Sequence, residues 1–480
     1  MSDRSGRFTL IQQNDIHAQL DVHWELFRRG GREEYRRVGG LARAAAVANA
    51  IKQETDAALL VDCGDAIHGT LPAIRTEGRV IVPALAAEGV DLFVPGNWEY
   101  GFGPDALRSR AAEMGFPVLA ANLRNAADGE PIFPATLVRE IGGVRVGFVG
   151  LTSPIIPSMS SDFAAGLRFL DARDVLAGAI ETLRGEERCD VVVLVSHLGF
   201  AQDVALVRAI DGVDVVLSGH THNRLAQPAV VGGTLLIQSG FSGSFLGRLD
   251  LEVTTGRISS WHHELIELEE SIEPDGEVQA VVDEQLAPFR EEMDEQVGQT
   301  EVALHRMALL ETPMDNLIVD AYQALTGCDV ALSHGWRFAP PVPAGPVTTG
   351  DLWTMVPTNP EVFTARVSGR QLLASLESNL HNVFAGDALQ QAGGYVARAT
   401  GLSVVFRPNN GRGTRIEQLD IGGAPYEPDR EYTIAGAGVR GLLGTFERES
   451  TGVHAIDALR RHLAQGPVRP DVSGRTFIAQ

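Results

Sequence analysis

Residues 213–222 read Val213-Asp214-Val215-Val216-Leu217-Ser218-Gly219-His220-Thr221-His222. The mostly apolar run 213–217 is short, rich in β-branched residues and bounded by Gly219, which predicts a buried strand. Two imidazoles follow it, one residue apart. Alternate side chains of an extended segment point the same way, so the spacing predicts that both rings face one point beyond the sheet. Neutral imidazole is the commonest metal ligand among side chains.

The same pattern recurs through the first half of the chain. An apolar run at 8–13 leads into Asp15 and His17, and one at 57–61 into Asp62 and Asp65. Runs at 90–94 and 191–195 lead into Asn97 and His197. Open α/β sheets place their sites beyond the carboxyl ends of their strands. Five segments therefore aim metal-type residues at one edge. Asp62 is read as a cap of its own turn and is left out of the set.

The chain has 480 residues, enough for two or three domains. It is 44% hydrophobic and 21% charged, the balance of a soluble globular protein. The start, Met1-Ser2-Asp3-Arg4, runs directly toward the first strand, and no long apolar run follows. These features predict neither a signal peptide nor a membrane span. Cys63, Cys189 and Cys328 are far apart and follow no zinc spacing, so a reducing cytoplasm is expected. Forty basic against 62 acidic residues give a net charge of −22, which argues against nucleic acid and anionic membrane as partners. A small anionic substrate remains compatible, because a metal centre brings its own positive charge.

Residues 18–38 read as a polar, solvated surface loop, charge-rich at 28–37. Helices are expected at 39–53, 79–88, 104–114 and 171–184, with strands at 117–121, 144–150 and 191–196. After His222, segments 234–238, 246–253 and 257–268 alternate and turn often, as in an antiparallel sheet. The first domain, 1–268, thus reads as two layers of sheet flanked by helices. Residues 269–300 read as a connecting helix. A second domain is expected from 301 to 480, with a helix at 369–380 and strands at 402–406 and 430–434. It has no clustering of metal ligands, which suggests substrate selection. His68, Trp261, His262 and His263 are read as structural.

Asp15, His17, Asp65, Asn97, His197, His220 and His222 form a mixed nitrogen and oxygen donor set without thiolate. It suits Mn²⁺, Zn²⁺, Fe or Co. Seven donors exceed the need of one tetrahedral ion, and two ions about 3.5–4 Å apart are the natural partition. Asp65, with two oxygens, would serve both. A hydroxide held between two cations is a nucleophile at neutral pH, suited to in-line attack on tetrahedral phosphorus or sulfur.

Asn14-Asp15-Ile16-His17, Gly64-Asp65, Gly96-Asn97, Ser196-His197-Leu198-Gly199 and Gly219-His220-Thr221-His222 resemble the calcineurin-type metallophosphoesterase set of the 5′-nucleotidase family. Glu311-Thr312-Pro313 with Asn316-Leu317-Ile318, Gly335-Trp336-Arg337 and Val367-Ser368-Gly369 resemble that family's C-terminal domain. The resemblance implies an α/β protein with a four-layer αββα catalytic domain, a linker helix and a smaller, mobile α/β substrate domain. It implies that Asp15, His17, Asp65 and His222 hold one ion, and Asp65, Asn97, His197 and His220 the other. It also implies an aromatic contact to a base, and Tyr395 stands near one such position. Arg337 is the candidate clamp for a distal oxyanion, because a guanidinium matches phosphate or sulfonate bidentately.

One departure bears on the chemistry. The family's nucleotidases carry a catalytic His–Asp pair where this chain reads Gly96-Asn97-Trp98-Glu99-Tyr100-Gly101. Indole cannot exchange a proton in that role, and Gly101 has no side chain; Trp98 is expected to wall the site. A thiolate needs less help to leave than an alkoxide, since a free thiol has a pKa near ~8.5. Asn97-Trp98-Glu99 and Gln390-Gln391-Ala392-Gly393-Gly394 are similar to the Sox-type thiosulfohydrolases, which cleave a sulfonate from a cysteine on a carrier protein. The leading expectation is a dinuclear hydrolase of nucleotides or small phosphomonoesters. The alternatives are hydrolysis of an S-sulfonate bond, with a protein carrier, and a metal-binding scaffold without catalysis.

Overall fold

The computed structural model describes residues 4–55, 57–391, 394–438, 446–472 and 477–479. The chain divides into two compact units. The first takes residues up to 23 and 37–288; the second takes 24–36 and 289 onward.

In the first unit, a five-stranded sheet runs in the order Arg257–Glu267, Phe245–Thr254, Gly6–Gln13, Ala58–Asp62, Leu92–Phe93. A six-stranded sheet runs Ala229–Val231, Thr234–Ile237, Val215–Ser218, Val191–Ser196, Val144–Leu151, Thr136–Ile141. Strand Val191–Ser196 explains the layering, because every side chain in it is apolar except the last. Val191, Val193 and Val195 join the core shared with Phe8, Leu10 and Val61 of the other sheet. Val192 and Leu194 point the opposite way and pack with Leu176, Ile180 and Leu206 of helices Ala172–Glu181 and Phe200–Ala209. A strand apolar on both faces must be covered on both. Helices Leu41–Glu54, Val82–Glu88 and Gly276–Leu286 pack together as the outer layer on the five-stranded sheet. The unit is an α/β/β/α sandwich of four layers.

The strands that carry the site are parallel. Gly6–Gln13, Ala58–Asp62 and Leu92–Phe93 run together in one sheet. Val144–Leu151, Val191–Ser196, Val215–Ser218 and Thr234–Ile237 do so in the other. The strand expected at 90–94 is only two residues long, and at 117–121 only Val118 bridges, to Phe93.

Residues 18–38 are not a solvated loop throughout. His23–Arg29 and Arg32–Val38 form a hairpin turned by Gly30 and Gly31, both at positive φ (57° and 76°). Its residues 24–36 belong to the second unit. Arg28 donates to the carbonyl of Met307, and Leu26 and Phe27 are buried. Three of the arginines there are partnered: Arg28 with Glu33, and Arg29 and Arg36 over the Phe27 ring. Charge density alone predicts solvation, and these partners in the fold override it.

The rest of the second unit holds a five-stranded sheet in the order Tyr395–Thr400, Val330–Gly335, Glu431–Ala437, Glu361–Ser368, Glu449–His454, and a smaller sheet containing Leu402–Phe406. The stretch 269–300 forms helices Gly276–Leu286 and Arg290–Asp294 and ends in strand Gln296–Thr300. Two of the recognisable motifs are helix starts. Thr312 caps Pro313–Thr326 through the Asp315 amide, and Ser368 makes a capping box with Gln371 on Gly369–Phe384. Among the described residues, no helix is long and apolar enough to cross a membrane.

Candidate active site

Each candidate ligand leaves the carboxyl end of a parallel strand, and the side chains converge in two groups. Asp15, His17 and His222 form one; Asp65, His197 and His220 form the other. In the first, His17 Nε2 and His222 Nε2 are 3.2 Å apart, and His222 Nε2 is 3.1 Å from Asp15 Oδ1. In the second, His197 Nε2 is 3.2 Å from Asp65 Oδ2. His197 Nε2 also lies 3.7 Å from Asp15 Oδ1, which makes the two groups one pocket. Its Nδ1 faces the carbonyl oxygen of Cys63, a pure acceptor, so Nδ1 carries a proton and Nε2 is turned to the carboxylates.

His220 and His222 do not face one point. They fall into different groups because the chain leaves extended geometry after Gly219. Both adopt left-handed backbone, φ 71° and 60°. Asp15, His17 and Asp65 do the same, at 54°, 51° and 58°. Such conformations cost a non-glycine residue on the order of 1–3 kcal/mol each. Five of the seven candidate ligands carry that strain, and hydrogen bonds hold it in place. The Asp15 amide donates to Gly64 O and the His17 amide to Asp65 O, both at 2.8 Å. The His220 amide donates to Asp15 Oδ2 at 2.8 Å. Gly96 is required for close approach: a Cβ there would stand 2.3 Å from Asp65 Oδ1 and 2.6 Å from His197 Cε1.

The donor set fits divalent cations on two further grounds. Asn97 Oδ1 is buried without a hydrogen-bond partner, an acceptor left for something outside the protein. The buried carboxylates also leave a demand for positive charge. Burial pushes the His197 imidazole down, but Asp65 and Asp15 outweigh it and lift it to about 10. Burial pushes Asp15 up, yet His222 and His197 hold it far below the ordinary carboxylate range. His17, by contrast, is pushed down to about 4, chiefly by burial.

Three buried side chains organise the pocket and were not singled out from the sequence. Glu99 accepts the amides of Gly96 and Asp65 on one oxygen and those of Ala66 and Ile67 on the other. It therefore ties the Asp65 turn to the Asn97 turn. The available signal was an acid two residues beyond Asn97. Asp203 accepts the hydroxyls of Ser196 and Ser218 at 2.6 Å each, bracing the two residues that precede His197 and Gly219. Gln238 donates to Ser218 Oγ and accepts from Thr221 Oγ1 and the Asn223 amide.

Trp98 donates its backbone N–H to Asp65 Oδ1 at 2.7 Å. Its ring stacks on His68, with centroids 4.4 Å apart and planes at 18°. Arg337 and Tyr395 lie in the second unit. Tyr395 pairs in register with Gly335, two residues before Arg337. Beneath them, Arg306 and Arg398 share the one carboxylate of Asp315, at 2.9 and 3.0 Å, all three being buried. This cluster was not expected from the sequence. Of the segment 390–394, Ala392 and Gly393 lie outside the described residues.

Residues 8–224 match the family model of calcineurin-like phosphoesterases, and residues 296–440 that of the 5′-nucleotidase C-terminal domain. Residues 8–224 are thus a calcineurin-like phosphoesterase domain. The chain is 24% identical, over 86% of its length, to the trifunctional nucleotide phosphoesterase protein YfkN of Bacillus subtilis. It spans 30% of that relative's own length. Among solved phosphoesterase-like structures, the sulfate thiohydrolase SoxB of Thermus thermophilus is 26% identical, with a TM-score of 0.90 over 98% of this chain and 97% of that one. A 5′-nucleotidase precursor, also of Thermus thermophilus, has the same fold, with a TM-score of 0.87, 23% identity and 99% of each chain covered.

Proposed function

We propose that this calcineurin-like phosphoesterase is a hydrolase of small phosphoesters, nucleotides foremost, working with two divalent cations. The observation that carries the reading is the joining of two ligand groups, Asp15–His17–His222 and Asp65–His197–His220, in one buried pocket. Asp15, His17, Asp65 and His222 would hold one cation and Asp65, Asn97, His197 and His220 the other. Mn²⁺ is the first candidate, with Zn²⁺, Fe and Co served by the same donors. Divalent cations, when bound, lower the pKa of water and withdraw charge from a phosphoryl group.

The chain's own residues position and exclude. Cys63 O orients His197, and Glu99 and Asp203 fix the turns on which the ligands stand. Asn97 contributes its side-chain oxygen, and Trp98 walls the pocket. In the second unit, Arg337 would bind a distal anionic oxygen and Tyr395 would stack on a base. The nucleotide phosphoesterase relative supports this substrate class.

A second reading, hydrolysis of an S-sulfonate bond, has its own support. Trp98 and Gly101 supply no acid to a leaving alkoxide, and the likeness to a sulfate thiohydrolase spans nearly both chains. The test is an assay of the Mn²⁺-loaded protein on AMP, p-nitrophenyl phosphate, bis(p-nitrophenyl) phosphate and S-sulfocysteine. Phosphate from AMP supports the first reading, sulfate release alone the second. No turnover with any metal leaves the scaffold.

A further inference from the structure

His68 is an imidazole beside the pocket that the donor set does not use. It is 2% exposed, three residues after Asp65. A Cβ on the following residue, Gly69, would stand 2.6 Å from the backbone oxygen of His17. Its ring lies between two aromatic rings, Trp98 at 4.4 Å and Phe102 at 5.0 Å. The Cδ2–Nε2 edge faces Gly101, where an added Cβ would come within 2.9 Å of Cδ2 and 3.4 Å of Nε2. Nδ1 therefore points away from Gly101, and it is buried with no hydrogen-bond partner.

That is a costly way to fill space. A buried, unsatisfied polar atom is destabilising because its lost hydration is not replaced, and a phenyl ring would occupy the same stack without that cost. The ionisable groups that act on the ring are His17 and Asp65, one ligand from each group. Burial is the main influence and pushes the imidazole down to about 3, so the ring is an N–H donor and not a cation at neutral pH.

We infer that His68 is a substrate-contacting residue, whose neutral imidazole donates an Nδ1–H hydrogen bond to an anionic oxygen of the phosphoryl or sulfonyl group held in the pocket. Trp98 fixes the plane of the ring, and Gly101 leaves room for its other edge. No proton is transferred. The inference rests on the hydrolase reading for its substrate, and its test separates the two.

The variants are His68→Phe, which keeps the stack and removes the donor, and His68→Asn, whose amide can place an N–H near the position of Nδ1. Three quantities are measured on each full-length protein: Mn²⁺ affinity, orthophosphate affinity of the Mn²⁺-loaded form by calorimetry, and kcat/KM on p-nitrophenyl phosphate. His68→Phe is expected to weaken orthophosphate binding and kcat/KM by about 10- to 100-fold with Mn²⁺ affinity unchanged. His68→Asn is expected to recover most of both. Wild-type orthophosphate affinity in His68→Phe, a loss in His68→Asn as deep as in His68→Phe, or a parallel fall in Mn²⁺ affinity would overturn the assignment. If the wild type turns over no ester, the hydrolase reading fails, and orthophosphate binding alone decides His68.

Discussion

His197 Nε2 stands 3.2 Å from Asp65 Oδ2, and neither side chain is more than 2% exposed. The residues are 132 positions apart by their numbers, just beyond the ends of strands in different sheets. Their meeting ties the catalytic edge of one sheet to that of the other, and His197 reaches Asp15 as well. Removing this imidazole should therefore disable the pocket without unfolding the sandwich. His197→Ala is expected to lower kcat/KM by at least ~10²-fold and to bind less Mn²⁺ per chain. Steady-state kinetics and elemental analysis check this, with far-UV circular dichroism unchanged. Undiminished turnover would remove His197 from the site.

Glu99 carries a different burden, since its two oxygens satisfy four backbone amides. Glu99→Gln replaces one acceptor oxygen by a donor that faces other donors. The expected outcome is a loss of about 2–3 kcal/mol in stability together with a 10- to 100-fold drop in Mn²⁺ affinity. Chemical denaturation and metal titration measure the two. A loss of stability with metal affinity intact would limit Glu99 to folding.

Trp98→His places a titratable ring where the indole stands. Turnover of phenyl phosphate, a poor leaving group, is expected to rise relative to p-nitrophenyl phosphate by up to ~10²-fold, the range of general acid catalysis. A constant ratio between the two substrates would show that leaving-group protonation is not what Trp98 lacks.

Beneath the pocket, the Gln13 amide donates to both Asp62 Oδ2 and Glu88 Oε2. Burial pushes each carboxyl up to about 8. An unstructured chain releases the Glu88 proton near 4.5. Between those values the folded state holds more protons than the unfolded one, so stability falls as pH rises, by at most ~1.4 kcal/mol per pH unit for one proton. Glu88→Gln should flatten that slope between pH 5 and 8 and stabilise the protein at pH 8. Denaturant midpoints at constant metal and salt test this; an unchanged slope would mean that Glu88 ionises freely in the fold.

Much of the architecture was legible because its determinants are local. Five consecutive apolar residues, 191–195, present apolar side chains to both faces and require cover on both sides, and that alone calls for layers above and below. A ligand placed one to four residues past a strand end lies at the sheet's carboxyl edge whatever else the chain does. The motifs Glu311-Thr312-Pro313 and Val367-Ser368-Gly369 proved to be helix caps, which act within four residues.

What the amino-acid sequence determined by itself was the layered α/β class and the seven donors at five strand ends. Tertiary structure decided how those donors divide. His220 and His222 part into separate groups because hydrogen bonds from distant segments, such as the His220 amide on Asp15, hold backbone conformations that spacing along a strand does not predict. It also decided that residues 24–36 belong to the second unit, and that Arg306 and Arg398 share Asp315. The physical reason is common to all three. Burial makes a charge or an amide find a partner wherever the fold supplies one, and the nearest partner in space is rarely the nearest in sequence.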